Sequence, residues 1–276
     1  AYRNQIRLIK YGCMILLEIH KIELEKIMKN VKVGLLLSGL LLSPLSLAGH
    51  HEKGHSNEQA MNNAARSVDV KMRDAGRKPA AVLDFYGIKP GMTVMEYGSG
   101  GGYYTEILSY AVGEKGKVYA QNSPRRSNDK LKALVNTLPN TEAVLVEGGD
   151  IDLPENSIDA AFIVLIFHHM HYNKSSPNTF PEGTVKILAN IRKALKPGGT
   201  LAIIEHEAME GTNRADSAAL HRIDAKTTIA DVTAQGFTFA GSSDVLQVKT
   251  DDRTKHFRQG GKRDSSWRLV QKYTKN

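Results

Sequence analysis

The segment spanning residues 94–112 constrains the fold more strongly than any other part of this chain. It begins with a short apolar run, Val94-Met95-Glu96-Tyr97, which predicts a β-strand, and it ends in a helical pattern from Tyr104 onwards. A turn rich in glycine, residues 98–102, separates the two elements. Glycine lacks a Cβ and accepts positive φ, so a turn of this kind lets a nucleotide-like ligand approach bare backbone.

The spacing of the glycines argues against one common type of nucleotide ligand. A dinucleotide-binding fingerprint requires glycine at the sixth position of the turn, which in this chain is Tyr103. Glu96, two residues before Gly98, also has no role in binding a pyrophosphate. The turn therefore predicts a ligand other than a dinucleotide.

Strand and helix patterns alternate through the chain after three short predicted helices within residues 58–86. The expected strands are 93–97, 117–121, 143–147, 158–165, 200–205, 236–248 and 266–273, and the expected helices are 103–112, 125–137, 182–195, 214–221 and 225–235. This order predicts an α/β fold, a Rossmann-like seven-stranded and mostly parallel sheet with helices on both faces and an N-terminal helical extension. Ligands of such sheets bind at the carboxyl ends of the strands.

Residues 28–48 have the pattern of a secretory signal peptide. Two lysines precede the apolar run 33–42, and Ser46-Leu47-Ala48 places small residues at a cleavage site. The run is shorter than a transmembrane helix, and an uncleaved N-terminal anchor is the alternative. Both arrangements predict a periplasmic or secreted bacterial protein, with membrane contact only through this segment if it stays uncleaved.

The segments beside the signal sequence complete the predicted domain organisation. Residues 1–27 precede a complete signal peptide, so we interpret them as a non-native upstream extension, with a genuine amphipathic segment as the alternative. Residues 49–57 form a predicted disordered leader that contains three histidines, for which terminal binding of Cu(II) or Ni(II) is the alternative. Residues 58–276 form the predicted domain.

Charge and cysteine content exclude several classes of function. The formal net charge is +8, but residues 1–48 contain seven Lys or Arg against three Glu, so the remainder is mildly basic. No Lys/Arg block with interleaved aromatic residues occurs, and we expect no nucleic-acid partner. Cys13 is the single cysteine, which excludes a disulfide framework and a cysteine-based zinc site.

Four segments in order resemble class I S-adenosylmethionine (SAM) methyltransferases. They are the acidic-x-Gly-x-Gly-x-Gly motif at 96–102, the turn Gly149-Asp150-Ile151-Asp152-Leu153-Pro154, Asp159, and Leu195-Lys196-Pro197-Gly198-Gly199-Thr200. A narrower set is similar to bacterial predicted methyltransferases that carry signal peptides, namely Arg73-Asp74-x-x-Arg77-Lys78-Pro79, residues 102–105, residues 220–224 and the closing motif 261–264. The resemblance implies SAM as the cofactor.

The resemblance also implies roles for individual residues. Those expected on the methionine and ribose side of SAM are Glu96, Gly98, Ser99, Gly100 and Gly102. Asp150 would reach the adenine amino group, Ile151 would pack on the ring, and Ile166 and Phe167 would border the methyl donor. The second strand departs from the family, because Gln121 and Asn122 stand where an acidic residue accepts hydrogen bonds from the ribose hydroxyls. An amide can accept such a bond but lacks the charge.

The loop after the fourth predicted strand contains His168, His169 and His171. An imidazole titrates near neutral pH and could deprotonate a methyl acceptor, with His169 the first candidate for the catalytic base and His168 the second. The alternative is that two of the three only hydrogen-bond the loop. This loop lacks the Asn/Asp-Pro-Pro-Tyr/Phe motif of amide and adenine N-methyltransferases, so those reactions are not expected.

The sequence predicts no resident metal. His206 and His221 could join the histidines of 168–171 in a metal site, since imidazole binds zinc and copper. Helical His-x-x-x-His spacing is absent, however, and histidines more often serve in cores and loops.

Other side chains could surround the acceptor. Tyr103, Tyr104 and Tyr172 could form an aromatic wall, or could simply pack the first helix onto the sheet. The group Arg73, Asp74 and Arg77 could close a lid over the ligand, or form intrahelical ion pairs on a solvated helix.

These observations predict an exported SAM-dependent methyltransferase that acts on a small molecule. The alternative is a non-catalytic periplasmic protein that binds a nucleoside or metabolite on a methyltransferase fold, because fold does not imply function.

Overall fold

Seven strands form one sheet in the computed structural model, which describes residues 57–175, 177, 179–260 and 264–276. The strands are β1 (Thr93–Tyr97), β2 (Lys117–Asn122), β3 (Thr141–Leu145), β4 (Ile158–Val164), β5 (Leu195–His206), β6 (Phe237–Ser242) and β7 (Arg268–Lys275). Their order is β3-β2-β1-β4-β5-β7-β6. Only β7 runs antiparallel to its neighbours β5 and β6, so the predicted mostly parallel seven-stranded sheet is confirmed.

Helices cover both faces of this sheet, as the sequence predicts. They are α1 (Glu58–Met61), α2 (Val68–Lys71), α3 (Asp74–Arg77), α4 (Pro79–Tyr86), α5 (Tyr103–Val112), α6 (Asp129–Val135), α7 (Phe167–Met170), α8 (Glu182–Ala194), α9 (Arg214–Leu220), α10 (Ala225–Ala234) and α11 (Phe257–Gly260). Successive strand residues point to opposite faces, so Val94 packs in one core and Met95 in the other. No helix in the described part of the chain is long and apolar enough to span a membrane.

The bounds of several elements match the predictions closely. The bounds of β1 and α5, which flank the glycine turn, are those predicted. The third strand, predicted at 143–147, begins instead at Thr141, because Thr141 pairs with Val118 of β2. The predicted signal peptide, the upstream extension and the leader, except for Asn57, lie outside the described residues.

Buried charges attach the N-terminal helices to the rest of the domain. The Arg66 side chain is fully buried and lies 2.7 Å from Asp74 and 3.3 Å from Glu106 of α5. Arg73 and Arg77 pair with Asp264 near the C-terminus at 2.9 and 2.6 Å. The alternative prediction of intrahelical ion pairs is therefore wrong, because Arg73 and Arg77 pair with Asp264, which is distant in the sequence.

A second buried pair fixes the segment before β7. Arg222 and Asp251 are both completely buried, and two guanidinium nitrogens lie 2.8 Å from the two carboxylate oxygens. Arg222 also donates to the Lys255 carbonyl at 2.8 Å, and Asp251 accepts from the Trp267 N–H at 2.7 Å. The pair thus joins both ends of the segment that carries α11.

Substitution of Asp251 by Asn should strongly destabilise the domain. It leaves the buried Arg222 guanidinium without its counter-charge, and we expect a loss of about 3–5 kcal/mol in the free energy of unfolding. Urea denaturation of the full chain measures it. The matched control is Glu210→Gln, which breaks an exposed pair with Lys226 and should leave the midpoint unchanged. Equal midpoints for Asp251→Asn and the wild type would contradict this role of the pair.

Candidate functional site

The glycine turn adopts backbone that only glycine takes easily. Gly98 has a φ of 67° and Gly102 a φ of 88°. Space is also restricted, because a Cβ on Gly98 would lie 2.7 Å from Ile166 Cδ1 and one on Gly102 would lie 2.4 Å from Leu134 Cδ2. The predicted positive φ is confirmed at both positions, and the predicted approach of a ligand to this backbone stays a prediction.

Two amide side chains at the end of β2 hold this turn in place. Gln121 Oε1 accepts from the Gly98 N–H at 3.1 Å, and its Nε2 donates to the Val146 carbonyl at 2.7 Å. Asn122 accepts from the Gly100 N–H and donates to the Gly100 carbonyl, both at 2.9 Å. Both side chains are almost completely buried. Their amides already bind the turn and Val146, so both side chains have a structural role, and their predicted contact with SAM stays a prediction.

Glu96 is the penultimate residue of β1, and its carboxylate is buried beside the turn. The side chain is 4% exposed and accepts a 2.5 Å hydrogen bond from the Thr105 hydroxyl. Burial raises the pKa of Glu96 to about 7, against the opposing effects of the Thr105 and Ser99 hydroxyls and of Arg77. A carboxylate with this pKa is ready to bind a cationic group, which would replace its lost hydration.

A cleft of about 990 Å³ opens in front of Glu96 and the glycine turn, and we call it the glycine cleft. Its other walls include Arg73 and Arg77, Tyr103 and Tyr104 of α5, and Leu134 of α6. The Tyr104 hydroxyl is buried and has no hydrogen-bond partner among the described residues. The cleft therefore combines a buried acid, a turn without side chains at its glycines and an unpartnered hydroxyl at one end of the sheet.

The other predicted cofactor residues divide into two groups. Ile166 lines a smaller cleft of about 140 Å³ beside Gly98, Gln121 and Asn122, in which Glu147 supplies an acidic group. The second group lines neither cleft, and its members are Asp150, Ile151 and Phe167.

The packing of these three side chains explains their distance from the clefts. Asp150 is exposed and lies 3.4 Å from Lys186 of α8. Ile151 and Phe167 are buried in the apolar core on one face of the sheet. Their predicted contacts with adenine and the methyl donor stay predictions.

Histidines gather at the carboxyl ends of β4 and β5, as the sequence suggests. His168, His169, His206 and His221 line a second cleft of about 620 Å³, which we call the histidine cleft. It shares Arg73, Arg77 and Leu165 with the glycine cleft, so the two clefts adjoin. His171 is fully buried and lies 2.9 Å from Asp231, so it has a structural role, and Tyr172 lines neither cleft.

A buried acid that the sequence analysis did not select orients His168. Glu205, completely buried at the end of β5, lies 2.9 Å from His168 Nδ1 and accepts from the backbone N–H of His206 at 2.7 Å. Burial by itself would raise the pKa of Glu205, but His168 and His206 lower it below its usual value. The sequence did contain a signal for Glu205. This residue stands beside His206 at the end of a predicted strand, and such strand ends form the ligand-binding edge of the sheet.

His169 is the more exposed of the two candidate bases. Burial and the neighbouring His168 and His221 lower its pKa to about 4. Its imidazole is therefore neutral at pH 7 and able to accept a proton or bind a metal ion.

Asp264 is a further residue that sequence reasoning did not assign. Burial opposes its ionisation, but hydrogen bonds and charge from Arg73 and Arg77 lower its pKa to about 2. The same two guanidinium groups lie over the Tyr103 ring, at 4.9 and 4.5 Å from its centre. The two arginines line both clefts, whereas Asp264 lines the histidine cleft and Tyr103 the glycine cleft. Arg73 and Arg77 fall in the motif 73–79, and Asp264 in the motif 261–264.

Known proteins with this architecture are methyltransferases and related enzymes. The sequence profile described as "Methyltransferase domain" matches residues 95–203, from β1 to β5. A SAM-dependent methyltransferase from Aquifex aeolicus is similar in structure, with 24% identity and a TM-score of 0.53 over 75% of this chain and 96% of that one. No curated protein matches the chain at a significant level.

Residues 95–203 therefore match a methyltransferase domain, and the fold of the described residues is similar to that of SAM-dependent methyltransferases. This fold alone does not specify a reaction. The [4+2]-cyclase SpnF is also similar, with 16% identity and a TM-score of 0.51 over 78% of this chain and 84% of that one. The function of this chain therefore depends on the residues that line its own clefts.

Substitution of Gln121 by Glu should destabilise the domain. The glutamate side chain can still accept a hydrogen bond from the Gly98 N–H. It has no N–H to donate to the Val146 carbonyl, however, and it places a negative charge in a buried position. We expect a loss of about 1–3 kcal/mol in the free energy of unfolding. Thermal and urea denaturation measure it, with the exposed Gln247→Glu as the matched control. Unchanged stability of Gln121→Glu would show that the amide does not hold the turn.

Proposed function

We propose that this chain is an exported SAM-dependent methyltransferase that acts on a small molecule. SAM would bind in the glycine cleft and the methyl acceptor in the adjoining histidine cleft. The observation that carries this proposal is the buried Glu96 carboxylate at the end of a glycine-lined cleft of about 990 Å³. A buried acid there suits the ammonium group of SAM, and the size suits a nucleoside ligand.

The shared wall of the two clefts supports this division of roles. Arg73, Arg77 and Leu165 border both clefts, so a ligand in one can reach a ligand in the other. Methyl transfer is an in-line displacement, in which the protein mainly positions donor and acceptor. The acceptor atom bonds to the methyl carbon as the carbon–sulfur bond breaks, and S-adenosylhomocysteine is released.

A neutral imidazole would accept the proton that the acceptor loses. Glu205 lies 2.9 Å from Nδ1 of His168, and a hydrogen bond from Nδ1 to this carboxylate would keep the proton there and leave Nε2 as the acceptor. His169 is neutral as well and faces the cleft more openly. We retain His169 as the first candidate for the base and His168 as the second.

Export is the part of the proposal that rests on the sequence alone. The signal-peptide pattern of residues 28–48 supports a periplasmic or secreted location. An exported enzyme would need SAM outside the cytoplasm, so a route for SAM across the membrane is a requirement of the proposal.

The rival function is a non-catalytic binding protein for another nucleoside or metabolite. The structural role of Gln121 and Asn122 favours it, since their amides already bind the glycine turn and offer the ribose no anionic acceptor. The orientation of His168 by a buried carboxylate favours the enzyme, because a binding protein has no need of an oriented base.

Calorimetric titration of the full chain with SAM and with S-adenosylhomocysteine tests the proposal. We expect saturable binding of both at one site per chain. No binding of either at millimolar concentration would overturn the enzyme proposal and leave the rival. Gly98→Val serves as the negative control, because its side chain would clash with Ile166 and fill the turn.

SAM affinity should depend on pH through Glu96. The folded, ligand-free pKa of about 7 means that most Glu96 side chains are protonated at pH 6, and binding the ammonium group must release that proton. Affinity should therefore rise with pH, roughly five- to tenfold between pH 6 and pH 7.5.

Glu96→Gln provides the control for this pH dependence. The variant cannot titrate, so its weaker SAM binding should vary little over the same interval of pH. Calorimetry at both pH values measures this, and an equally steep dependence in Glu96→Gln would assign the effect to another group.

A further inference from the structure

We propose that His168, His169 and His221 form a site for a divalent transition metal, with zinc as the reference ion. This departs from the prediction of no resident metal. The three side chains come from α7 and from the end of α9, and the fold brings them together in the histidine cleft. One nitrogen from each lies within 4.8 Å of the other two.

The distances between the imidazoles agree with a shared metal ion. His168 Nε2 lies 3.2 Å from His221 Nδ1. In a tetrahedral zinc site with Zn–N bonds of about 2.0–2.1 Å, neighbouring ligand nitrogens lie roughly 3.3 Å apart. His169 is the exposed member, so rotation of its side chain can bring the third nitrogen closer.

Glu205 gives His168 the second-shell partner that metal-bound histidines usually have. Its carboxylate lies 2.9 Å from Nδ1, on the side of the ring opposite the nitrogen that faces His221. A carboxylate in this position fixes the tautomer and orientation of the ring and makes the free nitrogen a better ligand. Glu205 is completely buried, and its negative charge would partly offset the charge of the ion.

The backbone at His221 also supports a specific role for this side chain. His221 follows α9 with a φ of 49°, in the left-handed region that residues other than glycine seldom adopt. Such strain is retained where the surrounding structure fixes it, often at functional sites. Here it places the imidazole against His168.

The composition of the site indicates the class of ion and its open position. Three imidazole ligands suit Zn²⁺, Cu²⁺, Ni²⁺ or Co²⁺ rather than Mg²⁺ or Ca²⁺. Three protein ligands beside an open cleft of about 620 Å³ match the pattern of a catalytic zinc site, which keeps a fourth position for water or substrate. If the chain has the proposed function, that position would hold an oxygen of the methyl acceptor. A metal-bound imidazole has no free lone pair, so the metal ion, and not His168 or His169, would then promote loss of the acceptor proton to water.

One neighbouring histidine provides a matched control. The His256 ring lies 4.8 Å from the His221 ring, but its Nδ1 accepts from the Arg258 backbone N–H at 3.2 Å. His256 is outside the group of three whose nitrogens converge. His50, His51 and His55 of the N-terminal leader are a second control, because they could bind metal independently.

The experiment is a titration of the tag-free, chelator-treated full chain with Zn²⁺ by calorimetry and with Co²⁺ by visible absorption. We expect binding at a site abolished by His168→Ala or His221→Ala, with the absorption of four-coordinate Co²⁺. Glu205→Gln should weaken binding roughly 10- to 100-fold. His256→Gln and the triple leader variant His50→Ala/His51→Ala/His55→Ala should retain this site.

Several results would overturn the proposal. They are the absence of Zn²⁺ binding to the wild type, its loss in the leader variant, or equal weakening by His256→Gln and His221→Ala. Urea denaturation shows whether each variant is folded, and His221→Asn provides a second test because asparagine tolerates the left-handed backbone. SAM titration of the metal-free chain separates the two proposals, since SAM binding needs no metal and metal binding needs no SAM.

Discussion

The hydrogen bonds between two buried amides and the glycine turn are the constraint on which the ligand-binding end of the sheet depends. Gln121 and Asn122 hold the backbone of Gly98 and Gly100 from the neighbouring strand, and Gln121 also reaches Val146. The glycine turn follows β1 directly, and Glu96 therefore lies at the end of the glycine cleft. The two residues at which the resemblance implies ribose binding thus support the turn.

Charge pairs between distant segments create the wall that the two clefts share. Asp264 joins Arg73 and Arg77 across nearly the whole length of the domain, and their guanidinium groups cover Tyr103. Glu205 also joins two elements beside the histidine cleft, because its carboxylate at the end of β5 lies 2.9 Å from Nδ1 of His168. The glycine cleft and the histidine cleft therefore adjoin at one edge of the sheet, as the proposed methyl transfer between two bound ligands requires.

Local patterns were sufficient to predict the sheet and the glycine turn. The bounds of β1 and α5 follow from an apolar run, a turn without side chains and a helical repeat, all read within twenty residues. Contacts beyond these patterns were not predictable. The exposed position of Asp150 and the burial of Phe167 depend on how α8 and the core pack, and the Asp264 pairs join residues 187 and 191 positions apart.

The sequence by itself determined the α/β fold, the ligand-binding edge of the sheet and the identity of the acidic and histidine side chains there. The tertiary structure decided what each of those side chains does. It assigned Gln121 to the support of the turn and His171 to the core, and it brought His221 to within 3.2 Å of His168. The physical reason is that strand and helix patterns depend on neighbours in sequence, whereas burial, pKa and ligand geometry depend on neighbours in space.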